Sequence, residues 1–122
     1  MLRNTLLYLS NQPRVFKFVR NNGLAKHFAR RFVAGETIVE ALAVVRELNA
    51  KGITASLDLL GESVYTEREA RAARDAFLQI LDRIHASKLD ANVSVKLTAM
   101  GLDIDHEMCI AIMQDILARA QQ

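Results

Sequence analysis

Two short segments, Leu57-Asp58-Leu59-Leu60-Gly61-Glu62 and Val93-Ser94-Val95-Lys96-Leu97-Thr98, restrict the fold more than anything else in this chain. Each reads as a strand with charge at or just beyond its C-terminal end. One long helical stretch joins them. Two strands separated by a single helix lie parallel and side by side in a right-handed crossover. Asp58, Glu62 and Lys96 are then expected to converge at one edge of the sheet, where open α/β sheets and barrels keep their ligand sites. Two carboxylates and an ammonium gathered there are parts of a polar binding site, though not a whole one.

The flanking sequence supplies the helices this arrangement needs. Thr37 followed by Glu40 is a capping box, and Ile38, Ala41, Leu42, Val45 and Leu48 mark one helix face up to Gly52. Ile53, Ala55, Leu57 and Leu59 then alternate with Thr54, Ser56, Asp58 and Leu60, the period of a strand over 53–60. A second capping box, Thr66 with Glu69, opens a helix to about residue 86 with a buried stripe of Ala70, Ala73, Phe77, Ile80, Leu81 and Ile84. A strand over 92–97 follows. Gly101 and Asp103 or Asp105 lead into a last amphipathic helix, about 106–120, carrying Cys109, Ile112, Met113, Ile116 and Leu117. Upstream, residues 4–10, about 13–21 and about 24–32 read as short helices, with Pro13 suited to a first turn.

Such an order leaves a physical problem. Two parallel strands have two bare edges, whereas parallel sheets are normally covered on both faces. The last helix packs as a crossover, and the strand it should lead to is missing. The expected fold is therefore α/β: leading helices over 1–35, then the first two β/α units of a (β/α)8 TIM-like barrel over 36–122, incomplete in this chain.

Composition excludes several classes. Of the 122 residues, 51% are hydrophobic and 25% charged, which suits one globular domain. No apolar run approaches the roughly 18 residues of a membrane span. The lone Cys109 cannot form an internal disulfide, which fits a reducing cytoplasm, and its helical setting reads as an inert, partly buried thiol. His27, His85 and His106 are widely spread, without metal-ligand spacing. Asp103, Asp105 and Glu107 precede a helix, so capping explains them, and no metal is expected.

The net charge of +2 hides an asymmetry. Arg3, Arg14, Lys17, Arg20, Lys26, Arg30 and Arg31 precede the first carboxylate, Glu36. This basic front could meet phosphates, nucleic acid or an anionic membrane, or serve as a targeting segment; a solvated helical face is the default reading.

Three motifs together carry a specific resemblance. Arg31-Phe32-Val33-Ala34-Gly35-Glu36-Thr37, then Leu57-Asp58-Leu59-Leu60-Gly61-Glu62-Ser63-Val64, then Asn92-Val93-Ser94-Val95-Lys96-Leu97-Thr98 with Gly101-Leu102-Asp103, resemble the N-terminal third of the monofunctional bacterial proline dehydrogenases. Order and spacing agree from about residue 28 onward. The resemblance implies a distorted (β/α)8 barrel that uses FAD to oxidise L-proline to Δ1-pyrroline-5-carboxylate and passes the electrons to a membrane quinone. It implies that Lys96 binds substrate, that Glu62 gates the site by pairing with a C-terminal arginine, and that Asp58 supports them. It places the remaining site residues, the late arginine pair and most FAD contacts downstream of residue 122, in the missing part of the barrel. No catalytic residue is expected within the chain, its FAD contacts are unassigned, and the fragment alone is expected to be inactive. The implied location is cytoplasmic, with a peripheral place on the inner membrane face. No specific nucleic-acid partner is expected. The alternative is a non-catalytic interaction or assembly module whose basic N-terminal surface binds an anionic membrane or nucleic acid.

Overall fold

Thr66 starts the longest helix among the described residues by the chemistry its sequence promises. Its hydroxyl accepts from the Glu69 amide at 3.3 Å. The Glu69 carboxylate in turn accepts from the amides of Tyr65 and Thr66 at 2.9 and 3.0 Å. Three amides at the helix start are thus satisfied by two side chains. The hydrogen bond from the Tyr65 amide is the main reason that the Glu69 carboxyl lies below its ordinary pKa. A depressed carboxylate stabilises the fold above its unfolded pKa, and that contribution is lost as pH falls through the folded value. Thr66→Ala should therefore cost about 1 kcal/mol at neutral pH. It should also weaken the loss of stability on acidification below about pH 4, which urea titrations at several pH values would measure.

The computed structural model describes residues 34–61 and 64–122. The chain divides into two compact units, Met1–Thr37 and Ile38–Gln122. The second holds every helix and strand found among the described residues. The helices expected before residue 33 lie outside the described residues. Helix α1 (Ile38–Asn49) begins directly after Thr37, as its capping signal requires. Strand β1 (Ala55–Asp58), helix α2 (Glu67–Ala86) and strand β2 (Ala91–Ser94) follow. A 3-10 turn over Leu97–Met100 then precedes helix α3 (His106–Ala120). The fold is mixed, with a small parallel sheet, as expected for α/β.

The core forms where α2 packs against α3, β2 and the 3-10 turn. Ala70, Phe77, Ile80, Leu81 and Ile84 are buried from α2, and Cys109, Ile112 and Ile116 from α3. Ala73 is half-buried in the same stripe. Leu117, assigned to the α3 stripe from sequence, instead lies 54% exposed. The inward face is set by Cys109, Ile112 and Ile116, and Leu117 stands one residue, or about 100°, further round the helix. Across the solvated faces, Arg74 Nη1 meets Asp115 Oδ2 at 3.1 Å, and Arg119 pairs with Asp82. Both pairs bind α3 to α2. Hydrogen bonding to Arg119 holds the Asp82 carboxyl below its usual range.

Both strands are shorter than their alternation predicts: β1 covers four residues of the expected 53–60, and β2 ends at Ser94 instead of 97. The reason at β2 is local. Ala99 donates its amide to the Lys96 carbonyl at 3.0 Å, which closes the 3-10 turn. The turn then drives Ala99 and Met100 into the core. Burial of those two side chains outcompetes three further residues of ladder.

Candidate functional site

The parallel pairing runs from Ala55 opposite Ala91 to Asp58 opposite Ser94. Alternation leaves Ala55, Leu57, Ala91 and Val93 half-buried against the helices. Ser56, Asp58, Asn92 and Ser94 are exposed on the other face. Lys96 lies two residues past Ser94 in extended backbone, with φ −101° and ψ 125°. It therefore joins this polar face. Its Nζ donates to Asp58 Oδ2 at 3.1 Å.

The expected convergence of Asp58 and Lys96 is thus present, with Lys96 at the junction of the strand and the 3-10 turn rather than within the strand. Glu62 lies outside the described residues. Ser56, Asn92 and Ser94 share the face and were not singled out from sequence. The period-two alternation that exposed Asp58 was the signal that could have found them.

The pair does little to hold the fold. The two side chains are 40% and 41% exposed, and ion pairs so placed contribute about 0–1 kcal/mol. Chemically it is more useful than structurally. An ammonium has three N–H donors, so it can hold Asp58 and a second carboxylate together. Carboxylate recognition by such a donor is charge-assisted and correspondingly strong.

The turn that presents Lys96 is anchored from beneath. Gly101 ends it at φ 84°, a backbone conformation that L side chains rarely adopt. A Cβ there would stand 2.5 Å from Met108 Cε and 3.2 Å from Ala70 Cβ. The methionine tip can yield, whereas Ala70 belongs to α2. Gly101→Ala should cost about 1–3 kcal/mol, read as a lower urea midpoint. The Cys109 Sγ lies 3.7 Å from the Leu97 carbonyl. Burial pushes its thiol up, which agrees with an inert structural role.

The sequence has no G-x-G-x-x-G turn, so no dinucleotide site of the Rossmann kind is encoded in it. What the polar face presents is an ammonium and a carboxylate side by side at the C-terminal ends of two parallel strands.

No protein-family model matches the chain. Individual proteins do, over nearly all of it. Proline dehydrogenase 1 of Bacillus subtilis subsp. natto is 38% identical over 122 residues, which is 100% of this chain and 40% of that protein. Proline dehydrogenase of Deinococcus radiodurans is 29% identical over 125 residues, again 100% of this chain and 40% of that protein. The bifunctional protein PutA of Escherichia coli (strain K12) is 30% identical over 125 residues, or 95% of this chain and 9% of PutA. The chain is homologous throughout its length to the N-terminal portion of the monofunctional bacterial proline dehydrogenases. It spans about 40% of the length of those relatives.

Proposed function

We propose that this chain supplies the first part of a (β/α)8 barrel that oxidises L-proline to Δ1-pyrroline-5-carboxylate in proline catabolism. Residues 36–122 form the barrel portion, and the basic residues of 1–35 precede it. The observation that carries the reading is that all 122 residues match about 40% of proline dehydrogenases, with Lys96 and Asp58 meeting on the exposed face of the sheet. In the closed barrel that face points inward, and the Lys96 ammonium binds the proline carboxylate. Asp58 holds the ammonium in position. Glu62, just beyond Gly61, gates the site by pairing with an arginine outside these 122 residues. FAD is the electron acceptor within the protein, held chiefly by residues outside this chain. A quinone takes the electrons onward in a peripheral encounter at the cytoplasmic surface of the membrane. No helix among the described residues is long and apolar enough to cross a membrane.

Two measurements test this. DNA sequence beyond the codon for Gln122 should continue the reading frame into further strand–helix units; a stop codon there would turn the reading toward assembly from separate pieces. The 122-residue chain, purified alone, should carry no stoichiometric flavin and show no proline-dependent dye reduction. Near one flavin per chain, with turnover, would contradict the proposed division of the site.

The exposed apolar side chains Ile53, Leu60, Leu97, Ile110 and Leu117 favour a second reading, a non-catalytic assembly module. Sedimentation separates the two, because a monomer at low concentration contradicts the assembly module.

A further inference from the structure

At the end of the sheet opposite Lys96, one side chain ties three elements together. Asn49, the last residue of α1, is half-buried. Its Nδ2 donates to the carbonyl of Ile53 at 3.0 Å and to that of Asp90 at 2.9 Å. Its Oδ1 accepts from the Asp90 amide at 2.8 Å. Ile53 leads into β1, and Asp90 immediately precedes β2. The same Asp90 carbonyl accepts from the Ala55 amide at 3.3 Å. A single carboxamide thus uses both donors and its acceptor to set the starting points of two neighbouring strands.

We propose that Asn49 is a positioning residue for the Asp58–Lys96 pair, acting through the register of β1 against β2. The ladder is four residues long on each strand and, among the described residues, the sheet has only these two strands, so its own hydrogen bonds specify register weakly. A slip of one residue would move a side chain by about 3.3 Å along the sheet and turn it to the other face. Lys96 would then leave the face that holds Asp58. Three bonds to residues 53 and 90 forbid the slip, since both carbonyls and the amide match the carboxamide only in the observed register. Aspartate could keep the acceptor but would lose both donors. Leucine could fill the space but would keep none of the bonds. The functional weight of this residue rests on the proposed role of Lys96, while its effect on register does not.

The test is NMR on the 122-residue chain. In Asn49→Ala, the core signals of Phe77 and Ile112 should stay native. The cross-strand contacts of Leu57 with Val93 and of Asp58 with Ser94 should weaken at least about tenfold or shift by one residue, and proximity of Lys96 to Asp58 should be lost. Asn49→Asp should fall between Ala and the parent. A variant with a native core and unchanged cross-strand contacts would overturn the proposal, because a merely stabilising residue would leave register intact. Should Asn49→Ala not fold, hydrogen exchange in the unaltered chain decides. The Asp90 amide should exchange as slowly as the ladder amides, and free exchange there would overturn the clamp. Failure of the proline reading would appear elsewhere, as a Lys96 variant with unaltered proline affinity beside an unchanged register result.

Discussion

On the proposed function, Lys96→Met should raise the KM for L-proline at least about 30-fold in a flavin-loaded barrel built on this chain, while leaving stability nearly unchanged. Methionine has similar length but no donor. Removing one partner of a buried hydrogen-bonded charge pair, as the ammonium and the proline carboxylate would form in the proposed closed site, costs about 2–5 kcal/mol of binding, and each 1.4 kcal/mol is tenfold. The competing view treats Lys96 as a cap on the sheet that reaches to solvent. That view has a different signature. The Lys96–Asp58 pair is close to half-exposed on both sides, so its loss costs the fold at most about 1 kcal/mol. Steady-state kinetics and a urea titration on the same variant separate the two. A small drop in midpoint with unchanged KM would remove Lys96 from the site.

Phe77→Ala should cost about 3–5 kcal/mol, the largest effect expected from truncating any one side chain of Ile38–Gln122 to alanine. Phe77 is 2% exposed and among the largest fully buried side chains. It sits mid-way along α2, the helix that meets α3, β2 and the 3-10 turn. Truncating it leaves a cavity where these elements join. Domains typically have about 5–15 kcal/mol in total, and this unit has one sheet face without a covering layer. Circular dichroism at 25 °C should therefore show Phe77→Ala largely unfolded or close to it. Phe77→Leu, which retains most of the volume, should remain folded with a lower midpoint. A Phe77→Ala melt indistinguishable from the parent would mean that the core is not organised around α2.

The same partial core gives the exposed ion pairs a limited role. Arg74–Asp115 and Arg119–Asp82 orient α3 on α2, but hydrophobic burial of Ile112 and Ile116 supplies most of the affinity between the helices. Acid should affect the fold through Glu69 and Asp82, whose carboxyls both lie below their ordinary range. Protonating them removes a favourable interaction in each case.

Local chemistry was readable directly from the chain. The Thr66 and Glu69 capping box, the α2 stripe and the start of α3 follow from interactions spanning three or four residues, which sequence spacing records faithfully. The parallel pairing was also legible, because one intervening helix permits little else. That pairing, with the alternation in β1, was enough to bring Asp58 and Lys96 to one edge.

Other features were decided only when the elements packed. Strand ends were set by competition: the buried Ala99 and Met100 pulled residues 97–100 into a turn, and no periodicity in β2 announces that. The same packing placed Lys96 just past the strand and exposed Leu117. Register was a tertiary matter too, since Asn49 meets a residue 41 positions away and nothing in the spacing of residues 49, 53 and 90 reveals the contact. The sequence by itself determined which segments are helix and strand and which charges lie at strand ends, because those depend on near neighbours. Only the tertiary structure decided where the strands end, which register pairs them and by what contact Lys96 reaches Asp58, because those depend on distant segments competing for one core.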